Sequence, residues 1–128
     1  MTHTLLHHHA NGKTVLSSSL EIADSFLARS KGLLGRREFS MGQGLWIKRC
    51  NSIHTFFMRF ALDAVFVDKN LKVVSMHYGL KPWRITPLHW KATSVFELPA
   101  GTLQNTPALA VGDLLVVESN SNEGGARA

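Results

Sequence analysis

The densest run of apolar positions lies in residues 50–68, which read CNSIHTFFMRFALDAVFVD. Within it, residues 62–67 are apolar at every position except Asp63, and such a run is typical of a β-strand that is covered on both faces. The residues Asp-Lys-Asn at 68–70 have the composition of a tight turn, and residues 71–77 supply an apolar partner strand. The pattern therefore predicts a β-hairpin over residues 61–77.

Shorter apolar runs predict further strands at residues 14–16, 20–22, 45–48, 93–98 and 114–117. One helix is predicted near residues 25–34, because Asp24 and Ser25 are residues that begin helices and the apolar positions that follow recur near helical spacing. Six or seven short strands and one helix predict a mainly β fold, either a small antiparallel barrel or a compact sandwich with one short α-helix. Four apolar side chains are expected in its core: Phe66, Val74, Phe96 and Val116.

A chain of 128 residues is long enough for one domain with a substantial core. The His-rich residues 1–11 and the Gly-, Ser- and Asn-rich residues 119–128 predict flexible tails. The single β domain is therefore predicted to span residues 12–118.

The single cysteine, Cys50, excludes an intrachain disulfide and suits a reducing compartment, and we expect it to be a free thiol with no catalytic role. The first residues have no basic region leading into a long apolar run, as a signal peptide would. No apolar run is long enough to span a bilayer. These features predict a cytoplasmic location and no membrane partner.

The net charge of +5 comes from basic residues that are spread along the chain. Such a surface favours solubility and attracts anions weakly. Nucleic-acid binding would need a basic stripe interleaved with stacking aromatic residues. The isolated pairs Trp83-Arg84 and Trp90-Lys91 fall short of that pattern, so no nucleic-acid partner is expected.

Polar side chains flank the aromatic residues of the central run, with His54 before them and Asp63 after them. A carboxylate at the mouth of a buried strand needs a partner, so Asp63 either caps a turn or shares a polar pocket with His54. Residues 79–91 contain two prolines and cannot pair continuously in a sheet centre. Their tryptophans and Arg84 indicate either a binding loop or a lid that covers the core.

The preferred function is the binding of a small polar ligand that is sugar-like or anionic. The rings of Trp46, Trp83 and Trp90 offer apolar faces, the arginines suit a carboxylate or phosphate, and the acidic and imidazole groups suit hydroxyls. The predicted ligand-binding residues are His54, Phe57, Arg59, Asp63, Trp83, Arg84 and Glu97.

Two other functions stay open. One is a hydrolase- or lyase-type enzyme with His54 and Asp63 as an acid–base pair. The other is a structural or protein-interaction module that docks through the tryptophan loop. Neither a metal nor a cofactor is expected, because outside the N-terminal tail the chain has no HxH, HxxxH or CxxC spacing and no nucleotide-binding fingerprint.

Six segments in this order, ARSKGLLGR, GLWI, HTFFMRFALDAVFVDKNLKVV, LKPWR, VFELPAG and VGDLL, resemble a small bacterial and archaeal family, domain of unknown function family 192. The resemblance covers residues 15–117, and its most specific part is the central HTFFM…LDAVFVD segment. It implies a small, mostly antiparallel β fold with one short helix, and it implies no reaction. Some members of the family look exported, and this chain departs from them in showing no signal sequence.

Overall fold

A computed structural model describes residues 2–24 and 38–120. Within these residues seven strands form one sheet. The strands are β1 (His3–His9), β2 (Gly12–Ala23), β3 (Gln43–Lys48), β4 (Leu62–Val67), β5 (Val73–Leu80), β6 (Ser94–Pro99) and β7 (Leu115–Ser119). Their order across the sheet is β5-β4-β6-β3-β2-β1-β7.

The predicted hairpin is confirmed, because β4 and β5 pair antiparallel. The carboxylate of Asp68 holds its turn by accepting hydrogen bonds from the backbone N–H groups of Asn70 and Lys72, at 2.8 and 3.0 Å. The other strand pairs are also antiparallel, except β2 and β3, which run parallel. The sheet is therefore mixed.

Of the two predicted arrangements, a small antiparallel barrel or a compact sandwich, the barrel is wrong, because the sheet is open and has β5 and β7 as its two edges. The residues just before these strands meet only at one isolated bridge, between Lys72 and Leu114. Backbone hydrogen bonds of Val73 with Gly112 and Asp113 support that bridge, but they do not extend into a ladder between the two edge strands.

Two neighbouring interior strands, β4 and β6, are buried at every position. Alternate side chains of a strand point to opposite faces, so Val65 and Phe96 belong to one apolar cluster while Phe66 and Val95 belong to another. The sheet therefore has a core on each face. Phe66 and Phe96 are fully buried as predicted, whereas Val74 and Val116 lie on the edge strands and are only half-buried.

The N-terminal boundary needs correction, because residues 3–9 are a strand and not part of a flexible tail. β1 pairs with β2 on one side and β7 on the other, and this places Leu5 and Leu6 in the interior. The two strands predicted at 14–16 and 20–22 are one continuous strand, β2. The helix predicted near residues 25–34 lies outside the described residues, and residues 2–24 and 38–120 contain no helix. Most of the predicted C-terminal tail, residues 121–128, also lies outside them.

Candidate ligand-binding site

Two irregular segments, residues 51–60 and 81–91, pair with each other outside the named strands. The backbone N–H of Thr86 donates to the carbonyl of Ile53 at 2.9 Å, and the N–H of Ile53 donates to the hydroxyl of Thr86 at 3.0 Å. Further along, His89 N–H donates to the carbonyl of Asn51 at 2.9 Å. The aromatic run and the tryptophan loop are thus held side by side, and we call them together the aromatic ribbon.

Thr55 is the main connection within the aromatic ribbon. Its hydroxyl donates to the carbonyl of Lys81 at 2.6 Å and accepts the N–H of Arg84 at 2.9 Å. Its backbone carbonyl accepts the N–H of Trp83 at 3.0 Å. The side chain is fully buried, so these bonds have little competition from water and fix the turn that carries Trp83 and Arg84. Thr55 was not among the predicted ligand-binding residues. Its signal in the sequence is a hydroxyl side chain inside an apolar run.

Four aromatic rings form a chain of contacts on the aromatic ribbon. Phe57 and Trp83 have ring centroids 4.7 Å apart, Phe56 stacks on Trp83 at 5.8 Å, and His54 stacks on Phe56 at 4.6 Å. Phe57 is 68% exposed and Trp83 56% exposed. We call the pair Phe57 and Trp83 the platform. It presents two aromatic faces to solvent, which is an arrangement suited to stacking against a ligand.

Both platform residues have left-handed backbone angles, with φ of 67° at Phe57 and 65° at Trp83. Bulky residues rarely adopt this conformation, which costs on the order of 1–2 kcal/mol each. Strain of this kind persists only where the surroundings impose it, and it occurs preferentially at functional sites. Here the hydrogen bonds of Thr55 impose it at Trp83.

The charged side chains of the aromatic ribbon are all basic. Arg59 and Arg84 are exposed, and residues 39–62 and 69–96 contain no aspartate or glutamate. The guanidinium of Arg84 reaches only the carbonyls of Pro82 and Trp83, at 3.4 and 3.5 Å. These contacts are long, and they leave its charge without a carboxylate partner among the described residues. The surface around the platform therefore favours an anion.

Asp63 is held by backbone groups of two other segments. It is 1% exposed, and its two carboxylate oxygens accept the backbone N–H groups of Gly79 at 2.7 Å and Leu103 at 2.9 Å. This is the turn-capping role that the sequence left open, although both turns are distant in the chain from the one expected. Asp63 also borders a separate cleft of about 380 Å³ together with Tyr78, Gly79, Ala100, Gly101 and Gln104.

Glu97 is fully buried in β6 and lies on the opposite face of the sheet from Asp63. The ladder places Glu97 across from Ala64, and Asp63 across from Leu98. Because directly opposed residues share a face and neighbours along a strand do not, the two carboxylates point to different cores. The structure therefore brings His54, Phe57, Trp83 and Arg84 of the predicted set together on the aromatic ribbon and puts Arg59 on the same ribbon. It buries Asp63 and Glu97 on opposite faces of the sheet.

The other two tryptophans do not join the platform's ring contacts. Trp46 stacks on Phe96 at 5.1 Å and donates its indole N–H to the hydroxyl of Ser94 at 2.9 Å. Trp90 is 84% exposed on the tryptophan loop. It is an exposed tryptophan outside the ring cluster and offers a matched control for Trp83.

Two histidines lie close together at the base of the tryptophan loop. Neither was among the predicted ligand-binding residues. The Nε2 atoms of His77 on β5 and His89 are 2.9 Å apart, and both rings pack against Phe66 at 5.7 and 4.4 Å. Burial lowers the pKa of His77 below its ordinary value, and the neighbouring His89 lowers it further. Burial also lowers the pKa of His89. Twelve residues separate the two in sequence, so no local spacing marks the pair.

Residues 2–24 and 38–120 contain neither a metal-binding cluster nor a membrane-spanning helix. No group of three or more His, Cys, Asp or Glu side chains is arranged to hold a metal ion. No helix in this part of the chain is long and apolar enough to cross a membrane.

The family model of DUF192, described as an uncharacterised ACR, matches residues 6–117. The chain belongs to the DUF192 family. A UPF0127 protein of Pyrococcus horikoshii is 39% identical over 85 residues, which cover 64% of this chain and 73% of that protein. A UPF0127 protein of Pyrococcus furiosus is 34% identical over 99 residues, covering 75% and 84%. The resemblance seen in the sequence is thereby confirmed.

Solved structures of bacterial proteins share the fold of this chain. A crystal structure of a Sinorhizobium meliloti protein has a TM-score of 0.76 at 22% identity and covers 90% of this chain and 92% of its own. A protein of unknown function from Novosphingobium aromaticivorans has a TM-score of 0.73 at 20% identity, with coverage of 88% and 83%. At these identities the likeness establishes the fold alone.

Proposed function

We propose that this DUF192 domain binds a small anionic, sugar-like molecule on the platform formed by Phe57 and Trp83. The observation that carries the proposal is that these two exposed rings contact each other at 4.7 Å while both residues are held at left-handed φ. Folding alone gives no reason to keep two large rings in solvent on a strained backbone. A ligand that stacks on the rings supplies one.

The chemistry of the ligand follows from the groups around the platform. The apolar face of a sugar ring packs against an aromatic ring, and the ligand's carboxylate or phosphate pairs with a guanidinium, which Arg84 offers next to Trp83 in the chain. His54, stacked on Phe56, supplies a polar group beside the aromatic surface. Arg59, two residues after Phe57, adds positive charge to the same ribbon.

The geometry gives less support to an acid–base enzyme. The carboxylate of Asp63 is 1% exposed and accepts two backbone N–H groups, so it is engaged in holding turns. We therefore assign no reaction to His54 and Asp63.

A second function, docking of a protein partner through the tryptophan loop, is favoured by a different observation. Ile85, Leu88 and Trp90 are 67%, 46% and 84% exposed on that loop. A protein interface would use these side chains in addition to the platform. The location also stays a prediction: the presence of a single cysteine, Cys50, which allows no intrachain disulfide, supports the cytoplasm.

A thermal-shift screen tests the proposal. Glucuronic acid, galacturonic acid and glucose 6-phosphate represent the expected class, with glucose and acetate as comparators that have only one of the two features. A ligand present at about 100 times its dissociation constant adds roughly 2.7 kcal/mol to the stability of the folded state. We expect a shift with the acidic sugars that is larger than with either comparator.

Variants then locate the binding. Trp83→Ala and Arg84→Gln should remove the shift. Trp90→Ala, which removes a more exposed tryptophan outside the ring cluster, should keep it. Loss of the shift in Trp90→Ala as well would favour an interface that includes the whole loop. If no acidic sugar stabilises the wild type, and His54→Ala and Arg84→Ala both unfold it, the ring cluster is structural and the proposal fails.

A further inference from the structure

We propose that His77 and His89 form a binding site for a divalent transition-metal ion of the kind that imidazole suits, namely Cu²⁺, Ni²⁺ or Zn²⁺. The site is independent of the ligand proposed for the platform and is defined by the geometry of the two rings. Their Nε2 atoms, which are the imidazole nitrogens most distant from the backbone, face each other at 2.9 Å.

The separation of the two nitrogens matches a coordination geometry. Bonds from imidazole nitrogen to such metals are about 2.0–2.1 Å long, so two ligands at right angles on one ion lie about 2.9 Å apart. Two ligands at tetrahedral positions lie about 3.4 Å apart, which a small rotation of either side chain reaches. The rings are tilted at 51° to each other and do not stack, so their nitrogens converge on one region.

The surroundings fit an ion as well. Phe66 contacts both rings and holds them from one side, while both histidines keep part of their surface in solvent. The neutral form of an imidazole is the one that binds metal, and a hydrogen bond between the two Nε2 atoms requires that one of them is an unprotonated acceptor. Without an ion, one Nε2–H donates to the other Nε2. When an ion binds, that proton moves to Nδ1 of the same ring, so a neutral pair releases no net proton.

The site has two protein ligands within the described chain, since no third His, Cys, Asp or Glu there joins them. The remaining positions on the ion are then filled by water or by an external donor. A site with open positions is of the kind that polarises bound water or accepts a ligand. An anionic molecule is the natural external donor for such an ion.

Nickel and zinc chloride titrations followed by calorimetry test the site on the full chain near neutral pH. His77→Gln and His89→Gln keep a polar group of similar reach but remove the imidazole. Because a short His-rich tract such as residues 7–9 is a source of adventitious metal binding, every protein carries His8→Gln, which removes the exposed member of that run. In each single variant, we expect the affinity for the first equivalent of metal to fall by at least roughly 10–100-fold. A loss of that size follows even from changing a residue that only orients a metal ligand.

A second measurement assigns the site directly. Added nickel should selectively broaden the imidazole resonances of His77 and His89 at substoichiometric amounts. Metal binding that is unchanged in both Gln variants, with broadening confined to the N-terminal histidines, would show that the pair is only a hydrogen bond. Gln variants that lose stability without metal and show no metal-dependent difference from the wild type would lead to the same conclusion.

Discussion

Phe57 and Trp83 are in ring contact at 4.7 Å, and each has a positive φ that bulky residues avoid. They lie on two different segments, so two turns must both be held in an unfavourable backbone conformation for the contact to form. The platform is thus a product of tertiary structure. The hydrogen bonds of Thr55, including the one that accepts the N–H of Trp83, are its main support on the loop side.

The strain at Phe57 predicts an unusual response to glycine. Phe57→Gly relieves about 1–2 kcal/mol of left-handed strain, and this offsets a lost ring contact of about 0.5–1.5 kcal/mol and the added flexibility of glycine. We expect the stability measured by urea unfolding to stay within about 1 kcal/mol of the wild type. Phe56→Gly is the matched control, because Phe56 has no positive φ to relieve and should lose clearly more. Equal losses in the two variants would contradict a strained platform.

Thr55→Val keeps the shape of the side chain and removes its hydroxyl. The carbonyl of Lys81 and the N–H of Arg84 then lose a partner in a part-buried setting, which should cost about 1–3 kcal/mol. Thr55→Ser retains the hydroxyl and should recover most of that loss. Urea unfolding measures both. A valine variant as stable as the serine variant would show that the hydroxyl does not hold the loop.

Asp63→Asn tests whether this carboxylate is structural. An amide in its place turns an NH₂ group toward one of the two backbone N–H donors, those of Gly79 and Leu103. Loss of a hydrogen bond to a charged group should cost about 1.5–3 kcal/mol, with Asp24→Asn as an exposed control. A variant with wild-type stability that no longer binds an acidic sugar would place Asp63 in the binding site instead.

Asp68 gives a prediction in acid. The backbone N–H groups of Lys72 and Asn70 lower its pKa below the model-compound value of 3.8. A folded-state pKa below the unfolded one adds stability above the unfolded pKa, and that stability is lost as the pH falls through the folded pKa. The melting temperature of Asp68→Asn should be lower than that of the wild type near neutral pH, and the difference should narrow below pH 3.8. A difference that persists unchanged in acid would contradict this role at the hairpin turn.

Local patterns were sufficient for the hairpin and for the two-sided burial of β4, because both follow from a continuous apolar run next to a turn. They were insufficient for β1, which looks like a polar tail until β7, more than a hundred residues later, pairs with it and covers Leu5. The open sheet could not be predicted for the same reason, since closure into a barrel depends on how far the two edge strands extend.

The candidate site shows the same limit. The residue types of the platform were visible in the sequence, and their meeting depends on Thr55, whose partners lie 26 and 29 residues away. Asp63 was selected as a site residue because a carboxylate in an apolar strand needs a partner. That partner, the N–H of Leu103, is 40 residues away and belongs to the backbone, which no side-chain pattern reveals.

The most direct measurement of the central proposal is a heteronuclear NMR titration with glucuronic acid, with glucose as the uncharged comparator. The account predicts saturable shifts of the Trp83 indole N–H and of the Phe57 and Arg84 amides, little change at the Trp90 indole, and loss of all these shifts in Trp83→Ala. Shifts that are absent for every acidic sugar, or that centre on the cleft beside Asp63, Gly79 and Gly101, would contradict binding at the platform.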